Sequence, residues 1–241
     1  MDKSGFLFFF IRLQVKLFLF AFFSYNLAMS KPLNLLILGP QGSGKGTQAD
    51  LLIKKFGYLM IGAGECLREA AKTDTELGKR VKARIDQGEL VEPEDIGEVI
   101  KNKLLTVPKE QPVIFESYPR TLVQYEYMKK FWTETGRGDF SALFIGLSEE
   151  ESIKRLSARR VCENCGINYV AGTAEKCVRC GGNLVQRHDD YPEAVKKRLA
   201  WSNSELLPLI EQFEKEGKLV RINGDQSIED VHQEILRKLS L

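Results

Sequence analysis

The chain has 241 residues, of which 43% are hydrophobic and 28% charged, the balance of an ordinary globular protein with one sizeable core. Its 35 basic residues nearly cancel its 33 acidic ones, and a net charge of +2 gives no reason to expect nucleic acid as a partner. Four of the five cysteines form two tight pairs late in the chain, which favours a metal site over disulfides.

Residues 1–28 differ from the rest of the chain, because eight of the 14 phenylalanines lie within the first 23 residues. Arg12 and Lys16 interrupt the apolar runs, so the segment is a poor membrane span, which needs about 20 apolar residues. It is either a signal or anchor-like segment or an extension upstream of a true start at Met29. We favour the extension and predict that residues 1–28 are dispensable, and that the protein is cytoplasmic, monomeric and not membrane-associated.

The remaining elements alternate along the chain. Residues 33–38 form a continuous apolar run, typical of a buried parallel strand, and a glycine-rich turn leads from it into a helix that ends near Phe56. Further helices are predicted over 65–71, 77–87, from 92, over 149–160, from 191 past 205, and over 228–239. Further strands are predicted over 112–115, 142–147 and 219–222, whereas 161–186 shows little periodicity. This alternation predicts an α/β fold with a parallel sheet flanked by helices.

The glycine-rich turn has the composition and context of a P-loop. It reads Gly39-Pro40-Gln41-Gly42-Ser43-Gly44-Lys45-Gly46-Thr47 and stands between the first strand and the first helix. Glycines let backbone N–H groups surround phosphate oxygens, the helix N-terminus adds partial positive charge, and Lys45 adds a full charge. The usual pattern has Ser or Thr directly after the lysine, but here Gly46 takes that place and Thr47 follows.

The late cysteines form Cys162-x-x-Cys165 and Cys177-x-x-Cys180, eleven residues apart, and each pair is followed by a glycine, Gly166 or Gly181. Four thiolates would make a closed tetrahedral site suited to structural Zn²⁺, with iron as an alternative metal and a redox disulfide as a weaker alternative. Cys66 is predicted to be a small buried apolar residue.

Gly44–Gln48 resembles the phosphate loop of adenylate kinases and other nucleoside monophosphate kinases, and the resemblance covers nearly all of residues 33–241. Other matching motifs are 64–68, 88–91, 118–124, the arginines flanking the cysteines, and 223–226. The resemblance implies a P-loop NTPase-type parallel sheet with a helical monophosphate-binding insert at 62–91 and a zinc-ribbon-like lid at 158–195. The core would then comprise 29–61, 92–157 and 196–241.

The resemblance also implies roles for individual residues. Catalytic cations would be Lys45, Arg120, Arg159, Arg187 and Arg198, and arginine suits this role because its planar fork binds phosphate in a bidentate way. Nucleotide-binding residues would be Gly42, Ser43, Gly44, Lys45, Gly46, Thr47, Ala63, Arg68, Glu89, Leu90, Val91, Ser117, Tyr118, Pro119, Arg120, Gln124, Arg159, Asn168, Tyr169, Arg187, Arg198 and Gln226. The metal ligands would be Cys162, Cys165, Cys177 and Cys180 for zinc, and Glu116 for Mg²⁺ through water.

The implied reaction is the Mg²⁺-dependent, reversible conversion of ATP and AMP into two ADP. The chain departs from the family pattern on the acceptor side, with Glu116-Ser117 in place of Asp-Gly and Ala63 where Thr is common. Two alternatives therefore stay open: a kinase with another or a relaxed acceptor such as UMP or CMP, and a nucleotide-binding protein with impaired catalysis. Of the two histidines, His188 belongs to the segment leaving the lid and His232 is expected on a helix surface.

Overall fold

The computed structural model describes residues 34–87, 89–170, 172–186, 190 and 192–241. The strands in chain order are β1 (Asn34–Leu38), β2 (Leu59–Gly62), β3 (Val113–Glu116), β4 (Phe140–Gly146), β5 (Arg159–Cys162), β6 (Asn168–Val170), β7 (Leu184–Val185) and β8 (Leu219–Asn223). The helices are α1 (Lys45–Phe56), α2 (Ala63–Ala70), α3 (Glu76–Asp86), α4 (Pro93–Leu105), α5 (Leu122–Thr135), α6 (Glu149–Ala158), α7 (Pro192–Lys215) and α8 (Ile228–Leu239). The expectations for residues 1–28, Gly88, Arg187, His188 and the side chain of Arg198 lie outside the described residues.

The main sheet has five parallel strands in the order β2-β3-β1-β4-β8, which confirms the predicted α/β fold. β1 lies at its centre and all five of its residues are buried: Leu35–Leu38 are apolar, and the side chain of Asn34 is hydrogen-bonded to Asp139 and Val113. Successive side chains of a strand point to opposite faces. Leu36 and Leu38 join a core cluster with residues of α4, α5 and α7, whereas Leu35 and Ile37 face the side on which α1 packs.

The core on the α5 side is rich in aromatic rings. Phe140 makes edge-to-face contacts with Trp132 and Tyr125, and its ring centroid lies 5.2 Å from that of Trp132. Such pairs add stability beyond the area that they bury. Helix α5, which supplies two of these rings, was not among the predicted elements, and neither was the short strand β2.

The segment around the cysteines is a second, three-stranded antiparallel sheet in the order β6-β5-β7. These strands lie within 161–186 and at its edge, where the sequence shows little periodicity, and they belong to the segment for which a zinc-ribbon-like lid was predicted. The helix predicted over 149–160 ends at Ala158, and Arg159 begins β5 instead of ending the helix. Within the described part of the chain, no helix combines the length and the apolar character needed to cross a membrane.

Helices α1 and α8 are joined by a buried polar contact. His232 is only 6% exposed, and its Nδ1 lies 3.2 Å from Oε1 of Gln48, whose Nε2 donates to the carbonyl oxygen of Ile228 at 2.9 Å. The expectation that His232 is a surface residue is wrong, because α8 turns this position towards α1.

Candidate active site and metal centre

A glycine-rich loop joins the carboxyl end of β1 to the first turn of α1. Gly42 and Gly44 have φ angles of +83° and +89°, which residues with a side chain rarely adopt. A Cβ atom on Gly39 would lie 2.3 Å from the carbonyl oxygen of Ile145, so only glycine fits there. A loop of this shape that leads into a helix N-terminus is the backbone arrangement that binds phosphate oxygens.

Lys45, the first residue of α1, folds back over this loop. Its Nζ donates to the carbonyl oxygens of Gly39 and Pro40 at 2.7 and 2.6 Å, and lies 3.5 Å from Oγ of Ser43. The loop carbonyls thus hold the ammonium at the point where the helix begins. Thr47, two positions further along the chain, is exposed in the first turn of the helix.

The charges around Lys45 are mostly positive. The pKa of Lys45 is lowered to about 8, chiefly by burial and next by the Arg120 guanidinium. Glu116 raises this pKa, and Arg159 lowers it. These influences show that the four groups share one electrostatic neighbourhood. An excess of cations that repel one another is expected where a polyanion binds, because the anion supplies the missing counter-charge.

Glu116 ends β3 and is in register with Ile37 of β1 and Gly62 of β2. Its carboxylate lies between the P-loop and the start of α2, since a Cβ on Gly46 would be 3.7 Å from Oε1 and a Cβ on Gly62 would be 3.9 Å from Oε2. Carboxylate oxygens are the ligands that Mg²⁺ prefers in proteins. The chemistry and the position of Glu116 therefore fit the predicted magnesium role.

The turn after β3 holds Arg120 through two contacts. Its Nε donates to the carbonyl oxygen of Ser117 at 3.1 Å, and its backbone N–H donates to Oε1 of Gln124 at 2.7 Å. Ser117 has a φ of +63°, a left-handed value that is unusual for serine, and it occupies the family's glycine position. Gln124, one of the predicted nucleotide-binding residues, thus also supports the backbone of Arg120.

The other predicted acceptor-side residues fall into two groups. Arg68 on α2 is exposed, and so are Glu89 and Leu90, which follow α3. Ala63 and Tyr118 are 4% and 0% exposed, so their side chains belong to the core. Only their backbone atoms can face a ligand. Pro119 is likewise buried and Val91 half-buried.

On the lid side, Arg159 makes a bidentate ion pair. Its Nε and Nη2 donate to the two carboxylate oxygens of Asp190 at 2.8 and 2.6 Å, and the Asp190 side chain has no solvent exposure. The sequence did not single out Asp190 for a role of its own. Gln226 is held by the carbonyl oxygen of Asn223 and by Glu234. Asn168 is exposed at the start of β6.

The four paired cysteines converge on one point. All four sulfur atoms lie within 4.8 Å of one another, with Cys162 and Cys180 at 3.4 Å and Cys165 and Cys177 at 3.5 Å. A tetrahedron with Zn–S bonds of about 2.3 Å needs sulfurs roughly 3.8 Å apart. All five cysteines of the chain are free, and Cys66 is buried as predicted.

The loops that carry the sulfurs are shaped for a metal. Gly166 and Gly181 both have φ of +72°, and each donates its N–H to the carbonyl oxygen of the first cysteine of its pair. A Cβ on Gly182 would lie 2.9 Å from Sγ of Cys162, so no side chain fits beside that sulfur. The site therefore fits a structural zinc ion. The hydroxyl of Tyr169, a residue predicted to bind nucleotide, lies at this centre.

A phosphate-binding loop at the carboxyl end of a central parallel strand, with a recessed lysine and nearby arginines, is typical of the P-loop class of nucleotide-dependent phosphotransferases. Comparison with known proteins narrows this class. The model of the family described as adenylate kinase matches residues 37–218. The chain belongs to the adenylate kinase family, and the four-cysteine cluster fits the zinc-containing form of its lid.

Curated relatives match over nearly their whole length. An adenylate kinase of Petrotoga mobilis is 40% identical over 212 residues, covering 86% of this chain and 97% of the relative. Adenylate kinases of Archaeoglobus fulgidus and Caldicellulosiruptor saccharolyticus are 39% and 38% identical, covering 84% and 87% of this chain and 96% and 100% of the relatives.

Proposed function

We propose that the chain catalyses the reversible, Mg²⁺-dependent transfer of the terminal phosphoryl group of ATP to AMP, giving two ADP. The observation that carries this proposal is the cation cluster at the P-loop, where Lys45 is recessed among loop carbonyls beside Arg120 and Arg159. Phosphoryl transfer needs little covalent chemistry from the protein. It needs both nucleotides in line and positive charge around the transferring oxygens, which this cluster would supply.

Different residues would bind the two nucleotides. The P-loop N–H groups and Lys45 would hold the ATP phosphates, with Arg159, Arg187 and Arg198 closing from the lid side. Arg68 and Arg120 would hold the acceptor phosphate. The contacts of Arg120 with the carbonyl oxygen of Ser117 and with Gln124 support this role, because they fix its direction before substrate binds.

The cofactors would occupy separate places. Glu116, next to the P-loop, would hold Mg²⁺ through water, and the ion would offset charge on the phosphates. The zinc ion would be structural and bound by the four cysteines, since a lid of this size has too small a core to be stable alone.

We further propose the division into a core of 29–61, 92–157 and 196–241, an insert at 62–91 and a lid at 158–195. Closure of insert and lid would exclude water from the transferring phosphoryl group. Residues 1–28 would be dispensable. The protein would be monomeric and cytoplasmic, and four free thiols in one cluster support the cytoplasmic setting because reducing compartments preserve them.

The test is Lys45→Met in a coupled assay of ADP formation from ATP and AMP. We expect kcat to fall at least about 100-fold, as when a preorganised charge at a transition state is removed. Lys54→Met, an exposed lysine of the same helix, is the matched control and should retain full activity. Equal rates for the Lys45 variant and the unchanged protein would refute the proposal.

The acceptor is tested separately, because Glu116, Ser117 and Ala63 all depart from the family pattern on that side. We expect AMP to be the preferred acceptor in a panel with UMP, CMP and GMP. Faster turnover of a pyrimidine monophosphate would favour the alternative of a different acceptor. Nucleotide binding without turnover of any member would favour a binding protein.

A further inference from the structure

The hydroxyl group of Tyr169 has two hydrogen-bond partners, and both lie in the second cysteine pair. It donates to Sγ of Cys177 at 3.3 Å and accepts from the backbone N–H of Val178 at 3.1 Å. A phenol has one proton to donate, and the Val178 N–H occupies the oxygen from another direction. The proton is therefore directed at the sulfur.

The two cysteine pairs share one pattern of backbone N–H groups that donate to sulfur, and the bond from Tyr169 is not part of that pattern. In each pair the first cysteine receives N–H groups from the residues that follow it, Asn164 and Cys165 in one case and Arg179 and Cys180 in the other. Among the described side chains, only Cys177 of the four sulfurs receives a hydroxyl donor. The asymmetry comes from Tyr169, which lies outside both pairs, on β6.

The bond joins two parts of the lid. Cys177 is 3% exposed and belongs to the turn between β6 and β7, whereas Tyr169 is half-buried and lies opposite Arg160 where β6 pairs with β5. β5 begins with Arg159 and ends with Cys162. Tyr169 thus connects the turn that holds the second cysteine pair to β5, the strand that ends with the first cysteine of the first pair.

We propose that Tyr169 is a positioning residue of the metal centre, whose hydroxyl holds the Cys177 sulfur in its ligand position and slows release of the metal. A metal-bound thiolate keeps negative charge and accepts a hydrogen bond more strongly than a neutral thiol does. The bond therefore favours the metal-bound state. Partners of this kind change metal affinity by about 10- to 100-fold. The inference does not depend on the proposed kinase activity.

The experiment uses full-length protein loaded with Co²⁺, whose sulfur-to-metal absorption reports directly on the ligands. We expect Tyr169→Phe to release the metal to a chromogenic chelator about tenfold faster than unchanged protein. Its charge-transfer band should move to lower energy, because the sulfur lone pairs lose a donor. Tyr127→Phe, which removes a hydroxyl bonded to Glu94, is the matched control and should change neither value.

A second measurement tests the same hydrogen bond without a substitution, in case the Tyr169→Phe variant does not fold. Unchanged protein grown with 3-fluorotyrosine carries a more acidic phenol, a stronger donor, so its charge-transfer band should move to higher energy. Metal release within twofold of the unchanged protein, no band shift on fluorination, or failure of the unchanged protein to bind Co²⁺ would each overturn the proposal.

Discussion

The Lys45 ammonium is held by backbone carbonyls in a neighbourhood of like charge, and a polyphosphate would supply the counter-charge that it lacks. Its pKa of about 8 lies well below the usual value for lysine, chiefly because the group is buried. At neutral pH most molecules therefore carry the charge on Lys45, but a modest rise in pH removes it.

This gives a pH dependence for nucleotide binding. Lys45 is protonated below about pH 8 and neutral above it, so we expect the affinity for ATP to fall about tenfold between pH 7 and pH 9. Titration calorimetry at the two values measures it. In Lys45→Arg the guanidinium keeps its charge throughout, so the dependence should flatten. An equal fall in the arginine variant would contradict the assignment.

The backbone conformation of Ser117 leads to a prediction about stability. Its φ of +63° is costly for serine and free of strain for glycine, so Ser117→Gly should increase the free energy of unfolding, by about 1 kcal/mol. Urea denaturation measures it. Ser157→Gly, inside α6, is the control and should destabilise by a similar amount, because glycine weakens a helix. Destabilisation by both substitutions would refute the strain at Ser117.

At the scale of elements, α1 is the helix on which several features converge. Its first residue is Lys45, its glycine-rich N-terminus faces the phosphate site, and its Gln48 is bonded to His232 of α8. The closing helix of the chain is therefore attached, through one buried polar pair, directly to the helix that begins at the P-loop.

The pair makes stability depend on pH. Burial, followed by the nearby charge of Lys55, lowers the pKa of His232 below its ordinary value of 6.5. The contribution of neutral His232 is thus complete above pH 6.5 and is lost as the pH falls through its lower folded-state pKa. We expect the unchanged protein to lose more stability between pH 7.5 and 5.5 than His232→Gln, in denaturation at both values. Equal losses would show that His232 is not involved.

Much of this arrangement follows from sequence. The P-loop strand, its helix and the helix over 228–239 were predicted because long periodic or apolar segments with strong end signals specify their own structure. Helix α5 was missed although Tyr125, Met128 and Trp132 are spaced for one buried face, because the exposed Leu122 and Val123 blur that pattern. The burial of His232 depends on α1, which lies 184 residues away at Gln48, and the strands of the lid sheet are too short to show a period of their own.

At the scale of the whole molecule, the lid is a small sheet that is held together at the cluster of four cysteine sulfurs. Its strands are two to four residues long, too short to bury a core of their own. The four sulfurs come from the segments before and after β6 and lie close together, and a bound metal would hold these two segments in contact.

Removal of the metal should therefore weaken the protein. We expect native mass spectrometry to find one zinc per chain, and a tight chelator to lower Tm by about 5 °C or more. Cys180→Ser should lose the metal and show the lower Tm without chelator. Cys66→Ala, whose sulfur lies outside the cluster, should retain it. An unchanged Tm on chelation, with no metal detected, would rule out the site.

The position of β8 at the sheet edge also matters while the protein is being made. Among the described strands, β8 (Leu219–Asn223) pairs only with β4, so the sheet is completed only when the last of its five strands has left the ribosome. Until then, β4 presents unpaired backbone donors and acceptors on which another nascent chain can add. A product terminated before residue 219 would retain that open edge and associate with itself, although its P-loop is intact.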